Sequence, residues 1–346
     1  MACPVGVERT GPAPSRGPRS AKPSGDLVRA VVSAAPGCQR PRRTSLKNNA
    51  AVVDSPHEMG QRALQAALLL TVIALATPAE AKSMGSAPLA ALQVGLVKQG
   101  LYVGPVDGLA GPATRHALAT LEKRAGLRTR ALTGRKSRAA LGRWGKHELG
   151  ARTLRRGYSG WDVAELQFLL AWHGFPSKLF DGDFESHVRA ALVRYQRWAH
   201  LDPDGIAGRR TIVSLESTQP PHCPIPLAWP VRAPLTSPFG PRGFGFHTGV
   251  DLGAAQGTPV TAAAPGQVVW AGVMAGGWGK LVIVAHRQGI TSVYAHLSRI
   301  DVHVGDQVAT GAQVGRVGAT GDAAGPHLHF EVRVDGAAVD PLPALR

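Results

Sequence analysis

The apolar residues of this chain follow a helical period in its middle third and a strand-like pattern in its last third. Val163, Leu166, Leu169 and Leu170 have the spacing of one helical face, and Gly174 ends that segment. The next two helices are predicted from a face at Val188, Ala191, Leu192 and Tyr195 and from a short segment over Thr211–Leu215. The pattern therefore predicts a small three-helix unit over residues 154–216.

The helical pattern occurs twice in the chain. Gly100 matches Gly174 and Asp107 matches Asp181, a constant offset of 74 positions. The other matched pairs are Leu92/Leu166, Gln93/Gln167, Gly108/Gly182, Ala117/Ala191, Leu118/Leu192, Leu127/Leu201, Gly134/Gly208 and Leu141/Leu215. A repeat at one fixed offset indicates a duplicated module, with copies at residues 87–145 and 154–216.

Short Val- and Ile-rich runs separated by glycines begin after residue 230. They cover Gln267–Val273, Lys280–His286, Thr291–Leu297, Gln313–Val317 and Leu328–Val334. Strands at this spacing, with no helical segment between them, predict an antiparallel all-β domain over residues 230–343. A Pro-rich stretch without periodicity, residues 217–229, is predicted to be a semi-rigid linker.

An apolar run near the N-terminus has the form of a secretory signal. Arg62 precedes the run Ala63–Ala76, and the small residues Ala79 and Ala81 follow it. The run is too short to span a bilayer, so we expect a signal peptide at 59–81, translation from Met59 and a secreted, cell-wall-associated protein. Residues 1–58 are then a disordered upstream extension. Two alternatives stay open: a disordered tail on a short anchor helix, and a buried core helix.

Charge and composition narrow the class of partner. The net charge of +16 calls for a polyanionic neighbour such as nucleic acid, an anionic cell-wall polymer or a membrane surface. Aromatic residues make up 5% of the chain and are not interleaved with a basic stripe, which argues against nucleic acid. Three cysteines are too few for a disulfide framework.

Four histidines and one aspartate stand out in the predicted β domain. His247 and Asp251 are four residues apart in F-H-T-G-V-D, and His296 ends a predicted strand. His327 and His329 flank Leu328, so on a strand both face one cleft while Leu328 faces the core. Imidazoles and a carboxylate are the ligands that Zn²⁺ prefers, and three protein ligands plus water is the pattern of catalytic zinc sites.

These residues lie in motifs that resemble the lysostaphin/LytM-type zinc endopeptidases, which cut peptidoglycan. The motifs, in order over about residues 230–342, are P-F-G-P-R, H-T-G-V-D, G-T-P-V-T-A-A-A-P-G, Y-A-H-L and G-P-H-L-H-F-E. The resemblance implies a duplicated hybrid-motif fold, one Zn²⁺ held by His247, Asp251 and His329, and His296 and His327 as the unliganded catalytic pair. Lys280 and the pair Ala323-Ala324 depart from the family pattern, which affects substrate fit rather than metal binding.

The helical repeats resemble the peptidoglycan-binding-like modules of bacterial wall hydrolases. The second copy keeps nearly all of that signature, including Gln196, whereas the first has Glu122 at the equivalent position and lacks the second Asp-Gly turn. The resemblance implies peptidoglycan as a partner. A purely structural helical spacer remains the alternative for each copy.

Together these features predict an exported zinc metalloendopeptidase that hydrolyses peptidoglycan stem peptides or cross-bridges through a zinc-activated water. The chain has no H-E-x-x-H sequence, so a histidine must act as the base. Three rivals are a catalytically silent wall-binding regulator, a D-Ala-D-Ala carboxypeptidase and a lipoyl- or biotin-like carrier. The H-x-x-x-D spacing argues against the carboxypeptidase, and the lack of a lysine at a suitable hairpin tip argues against the carrier.

Overall fold

The computed structural model describes residues 84–127 and 132–346. The predicted upstream extension (1–58) and signal peptide (59–81) lie outside these residues. Within the described part of the chain, none of the helices has the length and apolar character needed to cross a membrane.

The N-terminal half of the described chain is helical. The first repeat contains α1 (Ala87–Lys98), α2 (Pro112–Arg124) and α3 (Arg135–Ala140), and the second contains α4 (Trp161–Trp172), α5 (Ser186–Trp198) and α6 (Arg209–Ser217). The predicted apolar face of α5 is buried, as expected for an amphipathic helix.

Helix α4 differs from the one-sided helix that its spacing predicted. All twelve of its residues are buried, including Asp162 and Gln167. The reason is tertiary: α4 packs against α1, α5 and α6, and the ring of Trp172 at its end contacts Phe239 and Phe246 of the β domain.

A buried glutamine fixes the Asp-Gly turn in each repeat. In the second repeat, the Gln167 amide donates to Asp181 Oδ1 (2.7 Å), and its carbonyl oxygen accepts from the backbone N–H of Gly182 (2.7 Å). Gly182 has a φ of 69°, a conformation that favours glycine. The same arrangement occurs with Gln93 at Asp107-Gly108 and with Gln196 at Asp204-Gly205.

Replacing Gln167 with leucine is expected to lower the free energy of unfolding by about 2 kcal/mol, because the buried N–H of Gly182 loses its acceptor. Chemical denaturation followed by circular dichroism measures this change. The control is Gln256→Leu, at an exposed position of the β domain. Equal stability of the two variants would show that the glutamine does not hold the turn.

The C-terminal domain is antiparallel and all-β, as predicted. The strands of its main sheet are β1 (Leu235–Ser237), β4 (Val250–Leu252), β6 (Gly266–Met274), β7 (Gly279–Ala285), β8 (Ile290–Leu297), β10 (Gln307–Val308), β12 (Leu328–Val334) and β13 (Ala337–Val339). They lie in the order β1-β4-β12-β8-β7-β6-β10, with β13 paired to β12. A three-stranded sheet contains β5 (Pro259–Thr261), β11 (Gln313–Arg316) and β9 (Arg299–Ile300). A separate hairpin contains β2 (Gly240–Arg242) and β3 (Gly245–His247).

Strand β12 separates the core from the cleft. Leu328, Phe330 and Val332 are fully buried in the core, and the alternate residues His329 and Glu331 face the other side of the sheet. The period of two in this segment of the sequence thus determines which side chains reach the cleft.

The predicted linker packs against the β domain. Helix α6 extends to Ser217, and within the stretch that follows, Ile225 and Leu227 are buried. The backbone N–H of Leu227 donates to Ala344 O (2.8 Å), and that of Ala228 donates to Ala263 O (2.8 Å). The end of the predicted linker is therefore fixed to the β domain by packing and by backbone hydrogen bonds.

Candidate active site

Three strands bring His247, Asp251 and His329 together. His247 ends β3, Asp251 lies in β4, and His329 lies in β12 directly opposite Asp251 in the antiparallel register. His247 Nε2 lies 3.0 Å from Asp251 Oδ1 and 3.0 Å from His329 Nδ1, and the latter two atoms are 2.8 Å apart. All three side chains are buried, and their three donor atoms converge on one point.

The outward-facing ring nitrogens of the two histidines have their own partners. His247 Nδ1 contacts the carbonyl oxygen of Pro238 at 2.8 Å, and His329 Nε2 contacts Glu331 Oε1 at 3.3 Å. A carbonyl or carboxylate oxygen can only accept, so these nitrogens carry the protons. In the neutral form of each ring, His247 Nε2 and His329 Nδ1 then have lone pairs, the state required of a metal ligand, and a bound metal ion would displace any second proton.

The cluster has an electrostatic preference for a cation. Burial opposes ionisation of Asp251, but hydrogen bonds and charge from His247 and His329 hold its pKa well below the usual range. Burial likewise lowers the pKa of His329, yet Asp251 and Glu331 outweigh burial and raise that pKa to about 9. Glu331 is fully buried and its pKa is lowered by His329 and Arg333 despite burial, so it adds a second carboxylate charge.

His296 and His327 lie beside the cluster, with ring centroids 4.8 Å apart. His296 Nδ1 contacts Thr320 O at 2.8 Å, and His327 Nδ1 contacts Gly325 O at 2.9 Å. Both Nδ1 atoms therefore donate, and both Nε2 atoms are left to accept a proton. His327 Nε2 lies 3.7 Å from Asp251 Oδ1. Burial lowers the pKa of His296 below its ordinary value, which favours the neutral imidazole.

The backbone of His296 is strained. Its φ is 60°, in the left-handed region that few non-glycine residues adopt. Such conformations persist where the surroundings hold them, often at functional sites. The sequence carried no signal of this strain.

All five residues line one open cleft of about 480 Å³. The lining also includes residues to which the sequence had assigned no role, among them Arg242, Trp278 and Asp322. Arg242 belongs to the P-F-G-P-R motif, and its guanidinium donates to Asp251 Oδ2 (3.0 Å). Of the departures from the family pattern, Ala324 lines the cleft, whereas the Lys280 amine donates to Ser298 O (2.9 Å).

Two family models match the chain. Residues 245–341 match "Peptidase family M23", and residues 159–215 match "Putative peptidoglycan binding domain". The predicted resemblance of the C-terminal domain to LytM-type enzymes is thereby confirmed, and the second helical repeat lies in the matched peptidoglycan-binding region.

Curated relatives match about a third of the chain. Cell division protein DipM of Caulobacter vibrioides is 45% identical over 108 residues, which are 31% of this chain and 18% of DipM. The DD-carboxypeptidase/endopeptidase Mpg of Neisseria meningitidis is 42% identical over 114 residues, 31% of this chain and 26% of Mpg. The Murein hydrolase activator EnvC of Escherichia coli is 39% identical over 119 residues, 34% of this chain and 28% of EnvC. The chain thus spans less than a third of the length of each.

Proposed function

We propose that this chain, whose residues 245–341 form a Peptidase family M23 domain, is an exported zinc metalloendopeptidase that hydrolyses peptide bonds of peptidoglycan stem peptides or cross-bridges. The observation that carries the proposal is the convergence of His247 Nε2, Asp251 Oδ1 and His329 Nδ1 beside two further histidines in an open cleft. A purely structural histidine cluster would have no need of the second pair or of the cleft.

The donor set fits a zinc ion. Two imidazole nitrogens of neutral rings and one carboxylate oxygen are ligands that Zn²⁺ accepts, and three protein ligands leave a position for water or substrate. The Pro238 carbonyl and the Glu331 carboxylate orient the two rings, and Arg242 holds the second oxygen of Asp251. When bound, zinc lowers the pKa of water toward about 7 and polarises a carbonyl group.

His296 and His327 are proposed to move the protons. Each donates its Nδ1 proton to a backbone carbonyl and lines the cleft, so the Nε2 atom of one can accept the proton of the attacking water. After protonation the same nitrogen can donate to the leaving amine or to the oxygen that becomes negative during attack. The lowered pKa of His296 supports its presence as the neutral base near neutral pH.

The helical repeats are proposed to hold the enzyme on the wall. The family match supports peptidoglycan as the ligand of the second repeat. Gln93 makes the same hydrogen bonds to its Asp-Gly turn as Gln167 makes to its own, which supports a related module in the first repeat. Binding to an insoluble substrate raises the local substrate concentration without changing the chemistry.

The alternative is a catalytically silent regulator, which the similarity to the murein hydrolase activator EnvC favours. Such a protein needs neither the metal donors nor the histidine pair. This chain has both sets in one cleft, so we prefer the enzyme.

Zymography on purified peptidoglycan tests the proposal. We expect a cleared band in zinc-containing buffer, none with a chelator, and recovery of the band when zinc is restored. Mass spectrometry of the released muropeptides identifies the bond that is cut. No clearing with zinc-loaded protein, together with stimulation of a separate hydrolase, would favour the regulator.

A further inference from the structure

The two residues joined by the hydrogen bond that orients His247 each have an aromatic neighbour in the chain. Pro238 supplies the acceptor and is followed by Phe239, and His247 is preceded by Phe246. The rings of Phe239 and Phe246 pack edge to face with centroids 5.0 Å apart. The Phe239–Phe246 ring pair therefore connects the residue next to Pro238 with the residue next to His247.

Trp172 of α4 packs against both rings. Its ring centroid lies 5.4 Å from that of Phe246 and 6.2 Å from that of Phe239, in edge-to-face geometry. The Trp172 side chain is 5% exposed, and its Nε1 has no hydrogen-bond partner within the described residues. What this residue supplies is therefore packing.

The hairpin that carries His247 depends on the helical repeats for support. Within residues 84–127 and 132–346, β2 and β3 pair with each other and with no other named strand. The backbone N–H of Phe180 donates to Phe244 O (2.6 Å), and that of Val106 donates to Gly243 O (2.8 Å). Both repeats thus contribute a backbone bond to the hairpin turn.

We propose that Trp172 is a positioning residue for His247. Through Phe239 and Phe246 it holds the Pro238 carbonyl and the His247 ring in register, so that Nε2 points at Asp251 and His329. The second helical repeat is then part of the scaffold of the metal site as well as a tether. This proposal rests on the proposed function, in which His247 is a metal ligand.

If Trp172 positions His247, its removal should lower zinc affinity and kcat, which the loss of a tether to the wall would not do. Removing groups that orient a metal-bound histidine typically costs about 10- to 100-fold in metal affinity or activity. We therefore expect Trp172→Ala to weaken zinc binding by about 10-fold or more and to lower kcat on a soluble stem peptide, with little change in KM. Trp172→Phe should stay close to wild type because a phenyl ring can pack in the same place.

Two comparisons separate positioning from general destabilisation: Trp172→Ala against the control Trp198→Ala, and Gly174→Ala against the control Gly100→Ala. Trp198→Ala truncates the same residue type in the same repeat, where the ring contacts Phe175 and Tyr195. Gly174→Ala would bring a Cβ within 2.5 Å of the Ala338 backbone nitrogen in the β domain, whereas the equivalent Gly100 has no atom within 4 Å. Both glycines have positive φ, so backbone strain is similar in the two alanine variants.

The experiment measures zinc affinity by competition with a chromophoric chelator, the visible spectrum of the Co²⁺-substituted protein, and the fold by circular dichroism. We expect weaker zinc binding and an altered Co²⁺ spectrum in Trp172→Ala and Gly174→Ala, and wild-type values in Trp172→Phe, Trp198→Ala and Gly100→Ala. If Trp172→Ala fails to fold, the comparison of Gly174→Ala with Gly100→Ala, in zinc affinity and Co²⁺ spectrum, tests whether the second repeat supports the metal site.

Equal zinc affinity and equal Co²⁺ spectra in wild type, Trp172→Ala and Gly174→Ala would overturn the positioning role. Equal losses in Trp172→Ala and Trp198→Ala would also overturn it, because any damage to the repeat would then suffice. Failure of the wild-type protein to bind zinc is a different result, and it would overturn the proposed function itself.

Discussion

Alanine at Asp251 is expected to abolish both zinc retention and peptidoglycan hydrolysis. Asp251 Oδ1 lies within 3.0 Å of the donor atoms of both His247 and His329, and its Oδ2 binds Arg242. The substitution removes a proposed ligand, and it also leaves two imidazoles without the carboxylate that makes the site attractive to a cation. Activity should fall to the uncatalysed background, and His247→Ala and His329→Ala should behave alike.

Metal content by atomic emission, paired with muropeptide release, measures this effect. The control is Asp306→Ala, which removes an exposed carboxylate outside the cleft and should leave both quantities unchanged. A ligand variant that keeps stoichiometric zinc and full turnover would remove its residue from the ligand set.

Alanine at His296 or His327 is expected to give the second largest loss, with the metal retained. The two rings lie beside the cluster, and neither supplies an atom to the converging His-Asp-His set. Positioned acid–base groups typically contribute about 10²- to 10⁴-fold in rate, so kcat should fall within that range while zinc content stays at one per chain.

A second substitution at His296 separates chemistry from folding. The position has a φ of 60°, which asparagine tolerates better than alanine, so His296→Asn should preserve the backbone and still lack the base. His303→Ala, at an exposed position, is the control. Loss of zinc in a well-folded His296 or His327 variant would mean that a ligand had been taken for a base.

The sequence determined the features that depend on local pattern. The 74-residue offset indicated the repeat, and the period of two in Leu328–Val334 matched the strand observed there. The five cleft residues were found because their spacing and motifs lie within short segments. Such signals depend on neighbours in the chain, so a single sequence carries them.

Tertiary structure decided the features that depend on contacts between distant segments. The full burial of α4, the packing of the predicted linker and the strained backbone of His296 have no local signature. The same is true of the contact of Arg242 with Asp251, which joins the hairpin to β4, and of the contact of Trp172 with Phe239 and Phe246. Hydrophobic periodicity predicts that one face of an element will be buried, but it does not predict which element that face will contact. That contact depends on the packing of the whole chain.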